Sequence, residues 1–238
     1  MSGAAGWLDM LAASALDALD MAGRRRVLRD YDRDGIRLRL PDGRVLIDVA
    51  SNDYLGLAQD PGIIDRAAEY TARFGAGSGA SRLVCGTLRA HREVEEKLAA
   101  FLGTEAALLF GTGFQANATL LPALAELLGG EAELLVDRLA HASILTGAFA
   151  QGVKARRFRH NDLNHLEDLL RAGTGPRLVV TESVFSMDGD MADLAAIADL
   201  ADRYGAPVYL DEAHAIGVLG PEGRGLAALL PGRIAVTM

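Results

Sequence analysis

One cysteine, Cys85, stands in 238 residues, so no disulfide can form within the chain. A reducing cytoplasm suits that usage. Lysine is almost as scarce: Lys97 and Lys154 are the only two. Lys97 lies in a charged helical stretch and Lys154 in "QGVKARR", with no Ser or Thr after it. The GxxxxGK[ST] loop of nucleotide hydrolases is therefore absent. The longest uncharged run, residues 106–125, is interrupted by Gly111, Gly113, Gln115, Asn117 and Pro122 and does not read as a membrane span. The amino-terminal "MSGAAGWLDMLAASALDALD" lacks a basic start and is broken by Asp9, Asp17 and Asp20, which excludes a secretory signal. Positive charge is in deficit, with a formal net charge of -8. That balance argues against a general nucleic-acid binder and leaves room only for a local basic pocket.

Half of the residues are hydrophobic, enough for a sizeable core. The spacing of Trp7, Leu8, Leu11, Leu16 and Leu19 predicts an amphipathic first helix, followed by Arg24-Arg25-Arg26. "GIRLRLPDGRVLIDVA" reads as a hairpin turning at Pro41-Asp42-Gly43. Residues 1–50 thus form a helix-and-hairpin arm, and 51–238 a larger domain. In the latter, "HREVEEKLAAFLG" is a helix with Glu93 spaced to pair with Lys97 and Gly103 as its C-cap. Short apolar runs at 107–110, 134–136, 178–181, 208–210 and 234–237 alternate with helical stretches. One of these, "ADLAAIADLADRYG", has Asp193 as N-cap and Gly205 as C-cap. Such alternation predicts a mostly parallel α/β sheet, whose ligands gather at the carboxyl ends of strands.

Two such ends carry chemistry. In "LLFGTGFQANATLL", Gly111-Thr112-Gly113 opens a helix whose free amides suit a phosphate. An ordinary strand-to-helix turn reads the same way. In "VYLDEAHAIG", Asp211-Glu212-Ala213-His214 invites a Mg²⁺-holding reading, which the missing phosphate loop rejects. "GAGSGA" at 75–80 follows a helical stretch and has Ala80 in the third glycine position, a poor dinucleotide signal. A strand-end acid can instead pair with a heterocyclic nitrogen, favouring its protonated form and making the ring an electron sink. Asp211 suits that use, His214 could reach another polar atom of the ring, and His141 in "DRLAHASI" could stack on its face. The plainer reading of each histidine, a hydrogen-bonded structural residue, stays open. Glu182, Ser186 and Asp188 in "ESVFSMDGD" follow a buried strand, where substrate contacts are expected.

"SNDYLGL" (51–57), "GSGASRLVCGT" (77–87), "GTGFQAN" (111–117), "DRLAHASI" (137–144), "FRHND" (158–162), "TESVFSMDGD" (181–190) and "LDEAHAIGVLGPEGRG" (210–225) occur in that order. In this the chain resembles the α-oxoamine synthases, pyridoxal phosphate enzymes of the aspartate-aminotransferase fold. The resemblance runs from about residue 45 onward. It implies a three-layer, mostly parallel sheet belonging to the large domain of that fold. It implies pyridoxal 5'-phosphate as cofactor and an amino acid and an acyl-coenzyme A as substrates, joined with loss of carbon dioxide. Within the family, the wording is most similar to the branch that joins L-alanine to a pimeloyl thioester in biotin synthesis. Glycine C-acetyltransferase, 5-aminolevulinate synthase and serine palmitoyltransferase are close relatives.

Roles follow from the resemblance by position. Asp211 would pair with the pyridine nitrogen, His214 would approach the ring hydroxyl, and His141 would stack over the ring. Gly113 and Phe114 would offer amides to the phosphate, and Thr237 a hydroxyl. Ser186 and Glu182 would order the site, Asn52 would lie near the substrate, and Arg25 or Arg26 would meet a substrate carboxylate. A homodimer is expected, with the 75–86 loop near its interface. No metal, nucleic acid or membrane partner is expected. In the family, the strand matching "IAVTM" leads to a glycine turn bearing the lysine that holds the cofactor. The sequence given stops at Met238, before such a lysine, so the expectation is an incomplete large domain, inactive by itself. A non-catalytic, dimerising scaffold is the alternative expectation.

Overall fold

The computed structural model describes residues 4–238. The chain divides into two compact units, the first ending at Gln59 and the second running from Asp60 to Met238. The first unit holds helix α1 (Ala4–Met21) and an antiparallel sheet of β1 (Asp32–Asp34), β2 (Arg37–Arg39) and β3 (Val45–Ile47). The β2–β3 connection is the hairpin read from the sequence. Gly43, at φ 86°, donates to Leu40 O at 2.9 Å, and Asp42 accepts the Arg44 amide at 3.0 Å. Glycine enters that left-handed backbone without the steric cost a side chain brings. The α1 residues Trp7, Leu8, Leu11, Leu16 and Leu19 form its apolar face, and all are exposed.

The second unit begins with α2 (Pro61–Phe74) and α3 (Arg89–Leu102), then alternates. Helix α4 (Gly113–Leu127) precedes β4 (Glu133–Asp137), and α5 (Ala142–Ala148) precedes β5 (Lys154–Phe158). Helix α6 (Leu163–Ala172) precedes β6 (Arg177–Glu182), α7 (Leu194–Tyr204) precedes β7 (Val208–Asp211), and β8 (Val236–Thr237) closes the series. The five strands form one parallel sheet in the order β5-β4-β6-β7-β8.

Side-chain alternation along the strands builds a core on each face. Leu134, Val136, Leu178, Val180 and Tyr209 pack with Leu121 and Ala125 of α4 and Ile144 of α5. Leu135, Val179, Val208 and Leu210 pack with Leu166 and Leu170 of α6 and Ile197 and Ala201 of α7. This is a three-layer helix–sheet–helix arrangement. The central strand residues Leu134, Leu135, Val136, Val179 and Val180 are fully buried. Each large apolar side chain so placed contributes about 1.5–3 kcal/mol.

Helix ends follow the expected chemistry. Asp193 accepts the Ala196 amide, and Gly205 caps α7 at φ 62° in the left-handed region. Gly103 ends α3 in the same way. Glu93, spaced to meet Lys97, accepts the Tyr70 hydroxyl at 3.1 Å.

Two strand assignments from the sequence need correction. Residues 107–110 form no strand. Glu95 Oε1 accepts the Leu109 amide at 2.8 Å, and Arg82 donates to Leu109 O at 2.7 Å, so side chains satisfy that backbone. The fifth strand is instead β5, "KARRF", whose charge hid it. It is an edge strand, and Arg156 there makes a two-pronged ion pair with Glu133 of β4 at 2.5 and 2.6 Å. Charged side chains are a common way of protecting an open sheet edge.

Candidate active site

Parallel strands in register bring their last residues to one rim. Asp137 ends β4, Glu182 ends β6 and Asp211 ends β7, with Glu182 opposite Asp211. All three carboxylic acids are buried, at 0, 2 and 4% exposure. Such burial is costly unless the groups are hydrogen-bonded, and each of them is.

Asp211 accepts the Ala213 amide at Oδ1 and the Asn117 side-chain amide at Oδ2, both at 2.9 Å. Asn117 sits in α4, in line with Leu121 and Ala125 on the face that meets the sheet. Its Nδ2 also donates to Ser143 Oγ at 2.9 Å, and its Oδ1 accepts the Tyr209 hydroxyl at 2.6 Å. Burial and the neighbouring Asp211 push the Tyr209 phenol upward, so it stays a hydroxyl donor.

His141 is the N-cap of α5, where its Nδ1 accepts the Ser143 amide. Its main-chain N–H donates to Glu182 Oε1 at 2.5 Å. Burial and the negative charge of Asp211 push the Glu182 carboxyl up to about 7, against the lowering effect of the His141 bond.

Behind this row, His160 lies between two acids. Its Nδ1 meets Asp137 Oδ1 at 2.9 Å and its Nε2 meets Asp190 Oδ2 at 2.8 Å, while Phe185 packs edge-on at 4.5 Å between centroids. Burial works against the charged imidazole, but the two carboxylates outweigh it and raise its pKa. Asn161, at φ 51°, adds its amide to Asp137 and its side chain to Asp190.

At the α4 end, Thr112 is the N-cap. Its Oγ1 accepts the Gln115 amide at 3.0 Å and its carbonyl the Ala116 amide at 3.1 Å. The Gly113 and Phe114 amides have no acceptor among the described residues. They are the open donors of a helix amino terminus. Thr237 lies opposite Leu210, one residue before Asp211.

The structure therefore brings Asp211, His141 and Glu182 into one bonded cluster at the carboxyl rim. It places Gly113 and Phe114 at the start of the helix that carries Asn117. His214 is half-buried in the turn after β7, and Ser186 is exposed in the turn after β6. Arg25 and Asn52 belong to the first unit, where Arg25 pairs with Asp20 at 2.5 Å and Asn52 accepts the Tyr54 hydroxyl at 3.4 Å. Sequence reasoning missed Asn117, Ser143, Tyr209, Asp137 and His160. Asn117 had a usable signal, a polar residue on the buried stripe of an apolar helix. His160 had none beyond its motif.

The sequence matches the family model described as aminotransferase class I and II over residues 44–236. It is 56% identical over 227 residues to the 8-amino-7-oxononanoate synthase of Gluconacetobacter diazotrophicus, covering 92% of this chain and 57% of that protein. A serine palmitoyltransferase from S. paucimobilis, solved with PLP and myriocin bound, superposes with a TM-score of 0.83 at 32% identity, over 98% of this chain and 59% of that one. The 8-amino-7-oxononanoate synthase of Francisella tularensis superposes with a TM-score of 0.64 at 27% identity, over 81% of this chain and 51% of that one. The chain thus spans under three fifths of the length of these relatives. With the family model matched over most of its length and the three-layer parallel sheet in place, the chain belongs to the aminotransferase class I and II family.

Proposed function

We propose that this chain is the pyridoxal 5'-phosphate-binding part of an enzyme that condenses L-alanine with a pimeloyl thioester and releases carbon dioxide, an 8-amino-7-oxononanoate synthase. The observation that carries the proposal is the cluster Asp211–Asn117–Ser143–His141. It supplies an acid and an aromatic ring from different elements at one strand rim, each already held in place.

The residues present fit the cofactor. Asp211 would hold the pyridine nitrogen, with Asn117 and the Ala213 amide fixing the carboxylate. Gly113 and Phe114 would give their open amides to the phosphate, joined by the Thr237 hydroxyl. His141 would cover the ring, and His214 would approach its hydroxyl. Ser186 and Glu182 would order the site. Asn52 and Arg25 would meet the substrate. The cofactor supplies an electron sink for the pair released at the amino acid's α-carbon.

Identity of 48–56% to relatives bearing the 8-amino-7-oxononanoate synthase name supports alanine and a pimeloyl thioester over the glycine- and serine-using branches. A homodimer is part of the proposal, because Leu83 and Val84 expose 95 and 80% of their surface and Cys85 beside them is exposed. A cytoplasmic setting is proposed from the single cysteine. Among the described residues no helix is long and apolar enough to cross a membrane.

The test is a binding titration of residues 1–238 with pyridoxal phosphate beside an Asp211→Ala variant. It is paired with an assay of an enzyme containing this chain, comparing alanine, glycine and serine with pimeloyl-coenzyme A. Saturable binding lost in the variant, and a preference for alanine, are expected. No binding by the parent chain overturns the cofactor assignment, and a preference for glycine or serine overturns the substrate.

A further inference from the structure

Asp211, Asn117, Ser143 and His141 form an unbroken chain of hydrogen bonds whose direction can be read from its ends. Asp211 accepts at both oxygens, so its contact with Asn117 comes from the amide Nδ2. The Tyr209 hydroxyl donates to Asn117 Oδ1. A carboxamide turned the other way would set Oδ1 against Asp211 Oδ2, acceptor against acceptor. The second Nδ2 hydrogen goes to Ser143 Oγ at 2.9 Å. The Ser143 hydroxyl hydrogen is then left for His141 Nδ1, 2.7 Å away, where the Ser143 main-chain N–H also arrives at 3.3 Å. Two donors converge on one ring nitrogen. That nitrogen carries no proton, so the neutral ring is protonated at Nε2.

The geometry points to Asn117 and Ser143 as a positioning pair that ties the orientation of Asp211 to that of His141 and holds His141 in its Nε2–H tautomer. Both are sealed from solvent, at 0 and 1% exposure, and so is Tyr209. Water therefore does not compete for these bonds, which are stronger for it. The consequence is preorganisation: the acid and the ring that would meet a flat heterocyclic ligand are braced against each other before it arrives. His141 itself is exposed, and Nε2–H is the one donor its neutral ring has left to offer. The heterocyclic ligand rests on the function proposed above; the tautomer is a property of the protein alone.

The test uses residues 1–238 with ¹⁵N-labelled histidine and no cofactor, read by long-range proton–nitrogen correlation in mildly alkaline buffer. The expected parent spectrum shows His141 with an unprotonated Nδ1 and a protonated Nε2. Ser143→Ala keeps the main-chain cap of α5 but removes the hydroxyl. Asn117→Asp keeps the shape but loses both Nδ2 hydrogens, the one to Asp211 and the one to Ser143. Both are expected to move the two ring nitrogens toward a tautomer average, and Ser143→Thr to restore the parent pattern. Added pyridoxal phosphate, followed by equilibrium dialysis, is expected to bind about tenfold more weakly to the first two variants and nearly normally to Ser143→Thr. A parent ring protonated at Nδ1, or ring signals unchanged in both variants, overturns the inference. Should a variant not fold, the parent spectrum still decides the tautomer. Failure of the parent to bind pyridoxal phosphate would strike the proposed function and leave the tautomer result standing.

Discussion

Glu182 accepts the main-chain N–H of His141 at 2.5 Å, joining the end of β6 to the start of α5. The carboxyl is buried between Asp211 and Asp137, and its pKa rises from 4.5 to about 7. A native acid with a raised pKa holds its proton where the unfolded one has lost it, so stability falls as pH climbs between the two values. The loss is about 3 kcal/mol and is complete slightly above neutrality. Glu182→Gln keeps a carbonyl acceptor for His141 without the charge. It is expected to be more stable than the parent by about 1–3 kcal/mol near pH 8 and to lose that advantage near pH 4. Urea titrations at the two values check this. Equal differences at both would show that Glu182 is not the titrating group.

His160 works in the opposite chemical sense. Asp137 and Asp190 hold its two nitrogens, and Phe185 packs edge-on against it. A base with a raised pKa stabilises the fold fully below its unfolded value and loses that contribution as pH rises through the folded one. His160→Gln is expected to cost about 2 kcal/mol or more near pH 6, because Asp137 stays buried without its counter-charge. The cost is expected to shrink at alkaline pH. Hydrogen exchange should show the turn from Ser183 to Met191 opening first, since Asp190 anchors it. Unchanged exchange there would mean the clamp does not hold the turn.

The rim acids Glu182 and Asp211 were legible in the sequence because each follows a run of apolar residues in a parallel-strand pattern. Gly113 at the start of α4 and the caps of α7 were legible for the same local reasons. What joins them was not. Asn117 meets Asp211 across a sequence separation of 94, and no local period encodes that meeting. The β5 strand was invisible to hydrophobic patterning, because an edge strand satisfied by ion pairs need not be apolar. The false strand at 107–110 shows the converse. Apolar residues lie there, but Glu95 and Arg82 take the backbone bonds a neighbouring strand would have used.

Gly225 marks a close approach that a side chain would destroy. It stands at φ 84°, and a Cβ there would collide with the carboxylate of Glu212. Glu212 is fully buried and accepts the Leu226 amide at 2.6 Å and the Ala227 amide at 3.2 Å, pinning the segment that follows the turn after β7. Gly225→Ala must strain the backbone and break that anchor together. A loss of about 2–4 kcal/mol is expected. Gly130→Ala, where a Cβ meets open space, is the control and should stay close to the parent in thermal melting. Equal melting of the two variants would show that the segment tolerates displacement.

The last prediction concerns covalent capture of the cofactor. Residues 1–238 contain two lysines. Lys154 opens β5 opposite Glu133, and its ammonium pairs with Glu131. Phe158 marks the other end of that strand, at the rim that carries Asp137, so Lys154 stands ~13 Å away along a strand rising about 3.3 Å per residue. Lys97 is exposed on α3, two positions after Glu95, so it projects from the side of the helix opposite the one that meets the Leu109 amide ahead of α4. A cofactor held by Asp211 and the α4 amides therefore has no amine beside it from either residue. Pyridoxal phosphate followed by borohydride is expected to leave both lysines without stoichiometric label by peptide mass mapping, even where dialysis shows saturable binding. The same polypeptide is expected to turn over no alanine with pimeloyl-coenzyme A, since no amine is in place to move the α-proton. Stoichiometric label on Lys154 would require β5 to leave its place in the sheet or the cofactor to sit at the opposite rim. The second result would remove Asp211 from the site.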